Sequence, residues 1–540
     1  MDTGKERKES PLTEELKADF AVAGSGLAGM VAALKLAGRG KVILVTKGSL
    51  FQSNSFVAQG GIACPLGPDD SPALHIEDTL AAGDELCDPA AVRVAVEGAR
   101  AAVDELVSWG VAFDEERGVP ALTREGGHSR RRVLHSGGDA TGAHLLEPLA
   151  RKLRERVTIL EHYRVSRLLT HAGRCTGLLA GAANGNRWVH LEAGCVILAT
   201  GGLGHLYSSS TNPEVTTGDG IGLALSAGAE VADLEFLQFH PTALYEPHGR
   251  GRAFLISEAL RGEGGILRTL TGRRFMPDYH PLAEVAPRDV VSRAIYTEMR
   301  RAGASHLWLD ATGLDPAYLK GRFPSIYSYC LERGIDITRD YIPIVPAAHY
   351  HMGGIRVDLW GRTRVPGLFA CGEVACTGMH GANRLASNAL LEAVVFSRRV
   401  SEAALEYLET GKWPGASCSE ATWEPLPIRK MCSQVPEERL GQWMHQYLGV
   451  VRDEDGLRRL ISLLEGNRSA DEDTFGEHTV NLTLVARLMA EAALRRQESR
   501  GCHYRSDYPR REARWRVRQV FSTQGVREER VSCMDCSSRE

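Results

Sequence analysis

The sequence predicts an α/β chain: a discontinuous Rossmann-like dinucleotide-binding domain, an inserted α+β capping domain and a C-terminal helical domain. Three observations predict it. A strand, glycine turn, helix and second strand follow one another within about thirty residues of residue 18. Two further apolar stretches ending in glycine turns lie far downstream, at residues 196–202 (VILATGG) and 367–373 (GLFACGE). Beyond residue 425 the composition turns to Leu, Arg, Glu and Ala, with apolar residues at helical spacing. At 540 residues the chain is also too long for one compact core.

Residues 1–17 are charged and read as a flexible leader. Residues 19–23 (DFAVA) then read as a strand, followed by Gly24-Ser25-Gly26-Leu27-Ala28-Gly29, a helical run at 30–37 and a strand at 42–45. In this context the glycines permit a tight turn, close approach of backbone to a pyrophosphate, and close packing of helix on strand. The helix N-terminus offers unpaired N–H groups to phosphate oxygens. The acidic ribose ligand usual about 20 residues on is missing, because the second strand ends in Thr46-Lys47. That argues against an ordinary NAD site and leaves room for a flavin dinucleotide. The downstream strands make the nucleotide domain discontinuous, over residues 18–235 and 346–420, with residues 236–345 as an insertion rich in His, Arg and Glu. Residues 421–520 read as the helical domain, on the spacing of Val480, Leu482, Leu484, Val485, Leu488, Met489 and Ala492. The arginines at 505, 510, 511, 514, 516 and 518 read as a solvated helix face or a contact with the nucleotide domain. Residues 521–540 read as a tail, with Cys533 and Cys536 in a frayed terminus.

Composition removes several classes. The net charge is −4, which favours neither nucleic acid nor an anionic membrane. The first twenty residues hold no apolar stretch of the secretory kind, and no apolar run reaches the ~18 residues of a membrane span. Twelve scattered cysteines fit a reduced, cytoplasmic protein better than a disulfide scaffold, and no metal site is expected.

Six further motifs occur in a set order: residues 53–63 (SNSFVAQGGIA), 239–242 (FHPT), 257–265 (SEALRGEGG), 286–293 (APRDVVSR), 349–354 (HYHMGG) and 381–392 (GANRLASNALLE). On these the chain resembles the succinate dehydrogenase and fumarate reductase flavoprotein family over about residues 18–510, including ESRG at 498–501 and DYP at 507–509. The resemblance implies FAD, contacted by Ser25, Gly26, Leu27, Ala28, Lys47, Asn54, Ser55, Phe56, Val57, Ala58, Gln59, Gly60, Gly61, Asp219, Glu373, Ala389 and Leu390. Respiratory members attach FAD through a histidine at the position of Asn54, whose amide is no nucleophile, so the FAD here is expected to be non-covalent. The implied substrate carries two carboxylates, held by His240, Ser257, His349 and Arg384, with Arg288 as proton donor and acceptor. His351 lies two residues past its matching histidine and is expected only to line the site. The stretch TREGGHS at 123–129, with Arg131 and Arg132, resembles the members that oxidise L-aspartate, and places Glu125 against the substrate ammonium. The function implied is FAD-dependent oxidation of L-aspartate to iminoaspartate, with oxygen (giving hydrogen peroxide) or fumarate as acceptor. It would open NAD synthesis through quinolinate, with hand-over to quinolinate synthase. The alternative is a soluble fumarate reductase or succinate dehydrogenase flavoprotein subunit, against which Asn54 and Glu125 weigh. A binding protein with a structural flavin is a third, remoter reading.

Overall fold

The computed structural model describes residues 12–247, 251–414, 423–426, 435–465 and 477–531. The strand expected at residues 19–23 is the end of a twelve-residue strand, Leu12–Ala23. Its first half pairs in parallel with the long strand Arg187–Leu198, in a register that sets Lys17 opposite Glu192. Residues 12–17 are therefore sheet and not leader. An unpaired strand edge leaves backbone donors and acceptors without partners, and these residues supply them.

Around this pair lies a seven-stranded sheet, in the order Thr158–Glu161, Val42–Thr46, Leu12–Ala23, Arg187–Leu198, Arg174–Ala182, Tyr163–His171, with Leu368–Ala370 added in parallel to the end of Arg187–Leu198. The central strands are buried on both faces, as parallel strands are. Phe20, Val22, Leu44 and Ile197 face one core, shared with helices Leu27–Leu36 and Asn388–Thr410. Ala21, Ile43, Val45, Val196 and Leu198 face the other, shared with helices Asp219–Ser226, Glu437–Tyr447, Glu454–Glu465 and Glu477–Arg495. The parallel strands give way together to Gly24, Lys47, Ala199 and Cys371, the edge at which open α/β sheets bind ligands.

Over that edge sits an antiparallel sheet of Leu237–Leu244, Ile342–His351, Leu307–Asp310 and Ile266–Arg268. Helix Arg288–Ala302 packs against its core and ends at Gly303 in a left-handed conformation, φ 60°. The expected boundary at residue 345 falls inside the strand Ile342–His351, which pairs along its length with Leu237–Leu244 and so cannot be divided there.

The C-terminal region is helical only in part. Strands Val517–Ser522 and Gly525–Arg530 form a hairpin that joins Val231–Ala232, Gly354–Arg356 and Ala375–Cys376 in one sheet. Residues 521–530 thus correct the expected tail: Phe521 and Val526 are buried beside Val231 in the main core, although GVREER looks solvated as sequence. The arginine-rich stretch is not a helix face. Arg511 and Arg516 pair with Asp84 and Glu85 at 2.9 and 2.5 Å, and Arg518 with Asp233 at 3.2 Å, so it is a contact with the nucleotide domain. Cys533 and Cys536 lie outside the described residues. Among the described residues no helix is long and apolar enough to cross a membrane, and no cluster of His, Cys, Asp and Glu could hold a metal.

Candidate active site

A long cleft runs along the strand ends and under the antiparallel sheet, lined by glycines at one end and by His240, His349, Arg288 and Arg384 at the other. Of the residues expected at FAD, all but Leu27 and Phe56 line it. Leu27 is buried in the core and gives its N–H to Ser55 Oγ at 3.0 Å, while Phe56 packs on Phe51.

The lining fits FAD on observations of its own. Gly24 has φ +113°, and a Cβ there would lie 2.1 Å from the Ala199 carbonyl oxygen, so only glycine brings the turn this close. Helix Leu27–Leu36 has no side-chain cap and no acidic residue in its first turn, which leaves its positive end facing the cleft. Thr200 Oγ1 and Gln59 Oε1 are buried there without hydrogen-bond partners, as groups awaiting a polar ligand are. Where an acidic ribose ligand would stand, Thr46 accepts or donates to Ser25 at 3.0 Å, and Lys47 reaches across to Asp219 at 2.8 Å. Asn54 is held on both sides: its Nδ2 donates to Glu373 at 2.9 Å and its Oδ1 accepts from Thr216 at 3.1 Å. Glu373 is partly buried at the cleft wall, and desolvation there pushes its carboxyl up to about 7 although His351 N–H and Asn54 both donate to it.

All six residues expected around the substrate line the far end of the same cleft. His240 and His349 stand on neighbouring strands with ring centres 5.1 Å apart. Burial, reinforced by the Arg288 charge, holds both well below the ordinary imidazole value, so they are neutral. His240 Nδ1 accepts from the Thr242 N–H at 3.2 Å, which leaves the ring proton on Nε2. Arg384 lies over the Tyr350 ring at 4.4 Å, with its Nε buried and unpartnered. Burial and the Arg288 charge bring its guanidinium down to about 10. Arg288 opens helix Arg288–Ala302 and donates to Glu258 at 2.5 Å. Ser257 caps the short helix Glu258–Gly262. Glu125 is buried and accepts from Ser387 Oγ at 2.7 Å, with His135 Nε2 3.9 Å away. His351 does not line the cleft: it is a buried structural residue within 3.3 Å of the Leu234 carbonyl.

Sequence reasoning missed three residues here. Gln238 Oε1 accepts from both Arg288 and Arg384, at 3.1 and 3.2 Å. Glu258 neutralises Arg288, and Ser387, at φ +59°, orients Glu125. Each sits within three residues of a residue that was singled out, but a Gln, a Glu and a Ser carry no signal of their own.

A family described as FAD binding domain matches residues 19–390, and one described as fumarate reductase flavoprotein C-term matches residues 475–536. An L-aspartate oxidase of Streptomyces coelicolor is 44% identical over 93% of this chain and 90% of its own length. One of Vibrio cholerae is 41% identical over 92% and 96%. Among solved structures, E. coli quinol fumarate reductase superposes with a TM-score of 0.84 at 30% identity, covering 96% of this chain and 98% of that one. Adenylylsulfate reductase of Archaeoglobus fulgidus, at 17% identity and a TM-score of 0.71 over 97% of each chain, shares the fold. With the glycine-lined cleft, the cation-rich far end and this identity over nine-tenths of its length, the chain belongs to the L-aspartate oxidases of the FAD-binding succinate dehydrogenase and fumarate reductase flavoprotein family.

Proposed function

We propose that this chain oxidises L-aspartate to iminoaspartate through FAD, with oxygen (giving hydrogen peroxide) or fumarate as the final electron acceptor. One observation carries the reading beyond the family: at the substrate end of the cleft, beside Arg288, Arg384 and two neutral histidines, the buried Glu258 is paired with Arg288, whereas the buried Glu125 is met by a serine hydroxyl and no guanidinium. A plain dicarboxylate is repelled by Glu125. An amino dicarboxylate brings an ammonium to pair with it.

Bound at the glycine-lined end, FAD supplies a two-electron acceptor. Arg384 and the Nε2–H of His240 hold the substrate carboxylates, and His349 is fixed by Thr211 at 2.8 Å. Oxidation at C2 removes a hydride from carbon and a proton from nitrogen, and Glu125 is the base beside the ammonium. With fumarate a proton must instead reach C3. Arg288 is the donor with a route behind it, because Glu258 touches it at 2.5 Å and Arg261 lies 3.8 Å further on.

Anaerobic addition of L-aspartate to the holoenzyme tests this, and the flavin absorption band should bleach. Bleaching by succinate but not by aspartate would overturn the reading in favour of the fumarate reductase alternative. The reading extends to a cytoplasmic location and to the first step of NAD synthesis through quinolinate. Water hydrolyses imines, which favours hand-over to quinolinate synthase. If free iminoaspartate reaches that enzyme as well as product made in its presence does, the hand-over falls.

A further inference from the structure

The turn at residues 500–503 belongs to no expected role, although the ESRG motif at 498–501 runs into its first two residues. Arg500 and His503 close it through two backbone hydrogen bonds of 2.8 and 3.0 Å. From there it reaches both elements that carry the substrate arginines. On one side, Cys502 N–H donates to the Ala382 carbonyl at 2.9 Å, and Cys502 Sγ lies 3.2 Å from Asn383 Oδ1, one residue before Arg384. On the other, the Gly501 carbonyl accepts from Arg293 at 3.1 Å. Arg293 lies on helix Arg288–Ala302, whose first residue is Arg288, and its guanidinium sits 5.2 Å from the centre of the Tyr504 ring.

The turn is itself held firmly. Gly501 N–H donates to Asp84 Oδ2 at 2.8 Å, and Arg500 donates to the Asp84 carbonyl and to Glu85 Oε2, each at 2.9 Å. Asp84 and Glu85 both have positive φ, 56° and 67°, a pair that persists only where its surroundings over-determine it. Gly501 has φ +50°, and a Cβ there would lie 2.5 Å from the Ala382 oxygen. The fit between the turn and the Arg384 loop thus has no slack.

We infer that the turn Arg500–His503 is a clasp that positions Arg384 and Arg288 relative to each other, through Ala382 and Asn383 on one side and Arg293 on the other. Two guanidiniums so close repel, and Arg288 already lowers the Arg384 pKa; Gln238 bridges their tips, and the turn braces the backbones that carry them. Arg293 and residues 500–503 are positioning residues. None of them lines the cleft.

The inference rests on the reading that both arginines hold a dicarboxylate. Its test is titration of the holoenzyme with succinate, followed by the perturbation of the flavin absorption band, in wild type, Arg293→Met, Arg293→Lys and Gly501→Ala. The expected result is a Kd for succinate at least about tenfold weaker in Arg293→Met, partly recovered in Arg293→Lys, with FAD content unchanged. Gly501→Ala should move in the same direction, and if it does not fold, Arg293→Met decides. A Kd for Arg293→Met within about twofold of wild type overturns the clasp. Loss of FAD together with succinate affinity also overturns it, because the turn would then be a brace for the whole fold. Failure of wild type both to bind succinate and to be bleached by L-aspartate would refute the dicarboxylate reading beneath it.

Discussion

On the proposed reading, Glu125 is where one side chain decides which dicarboxylate is preferred. Ser387 fixes one of its oxygens at 2.7 Å, and Arg384 feels its charge. In Glu125→Gln the size stays while the repulsion and the ammonium partner go. Losing one partner of a buried charge pair costs about 2–5 kcal/mol, so kcat/KM for aspartate should fall steeply while fumarate reduction holds or improves. Steady-state kinetics with both substrates decide it, and an equal fall in both would remove Glu125 from amino-group recognition. Asn54 makes a second prediction at this scale. Its amide is spent on Glu373 and Thr216 and offers no nucleophile, so acid precipitation should release the flavin into the supernatant. Yellow colour retained in the pellet would show a covalent link. Glu373 adds a pH dependence. Its folded pKa of about 7 lies above its ordinary 4.5, so the folded state binds the extra proton between those values. Its contribution to stability is complete below about 4.5 and is lost as pH rises through about 7. Thermal melts of FAD-free wild type should therefore lose stability across that window relative to Glu373→Gln, and parallel curves would refute the assignment.

At the scale of elements, the turn between Leu12–Ala23 and Leu27–Leu36 binds the fold to the cofactor. Gly24→Ala would set a methyl 2.1 Å from the Ala199 oxygen at a φ that L-residues rarely adopt. Strain and overpacking together should cost on the order of 2–5 kcal/mol, with loss of bound FAD measured by absorbance. Full FAD content and an unchanged melting temperature would deny the turn its role. This element was legible because each link is local: apolar runs alternate between two cores, and glycines stand where backbones meet. The antiparallel sheet was less so. His240 and His349 come from strands about a hundred residues apart, and only the motifs around them, not periodicity, brought them into one site. Gln238, Glu258 and Ser387 stayed hidden because their value lies in partners that only tertiary structure supplies.

At the scale of the whole molecule, the last strands close a sheet whose other members lie about 150 to 290 residues earlier in the chain, and the charged sequence of the hairpin concealed this. Arg518 is the joint. It pairs with Asp233 at 3.2 Å and donates to the Leu86 carbonyl at 3.3 Å, with both charged side chains almost fully buried. Asp233 sits at φ +58°, and burial pushes its carboxyl up while Arg518 is the first charge to oppose that. In Arg518→Met the methylene packing is largely kept, but Asp233 is left as a buried anion without its main partner. Breaking such a pair costs about 3–5 kcal/mol, far more than a residue in a solvated tail could. Chemical denaturation of the variant should show a midpoint lowered in proportion. The double variant Arg518→Met with Asp233→Asn should recover part of the loss, because it removes the stranded charge. If the single variant unfolds at the wild-type midpoint, the hairpin is an appendage and the C-terminal region does not lock the nucleotide domain.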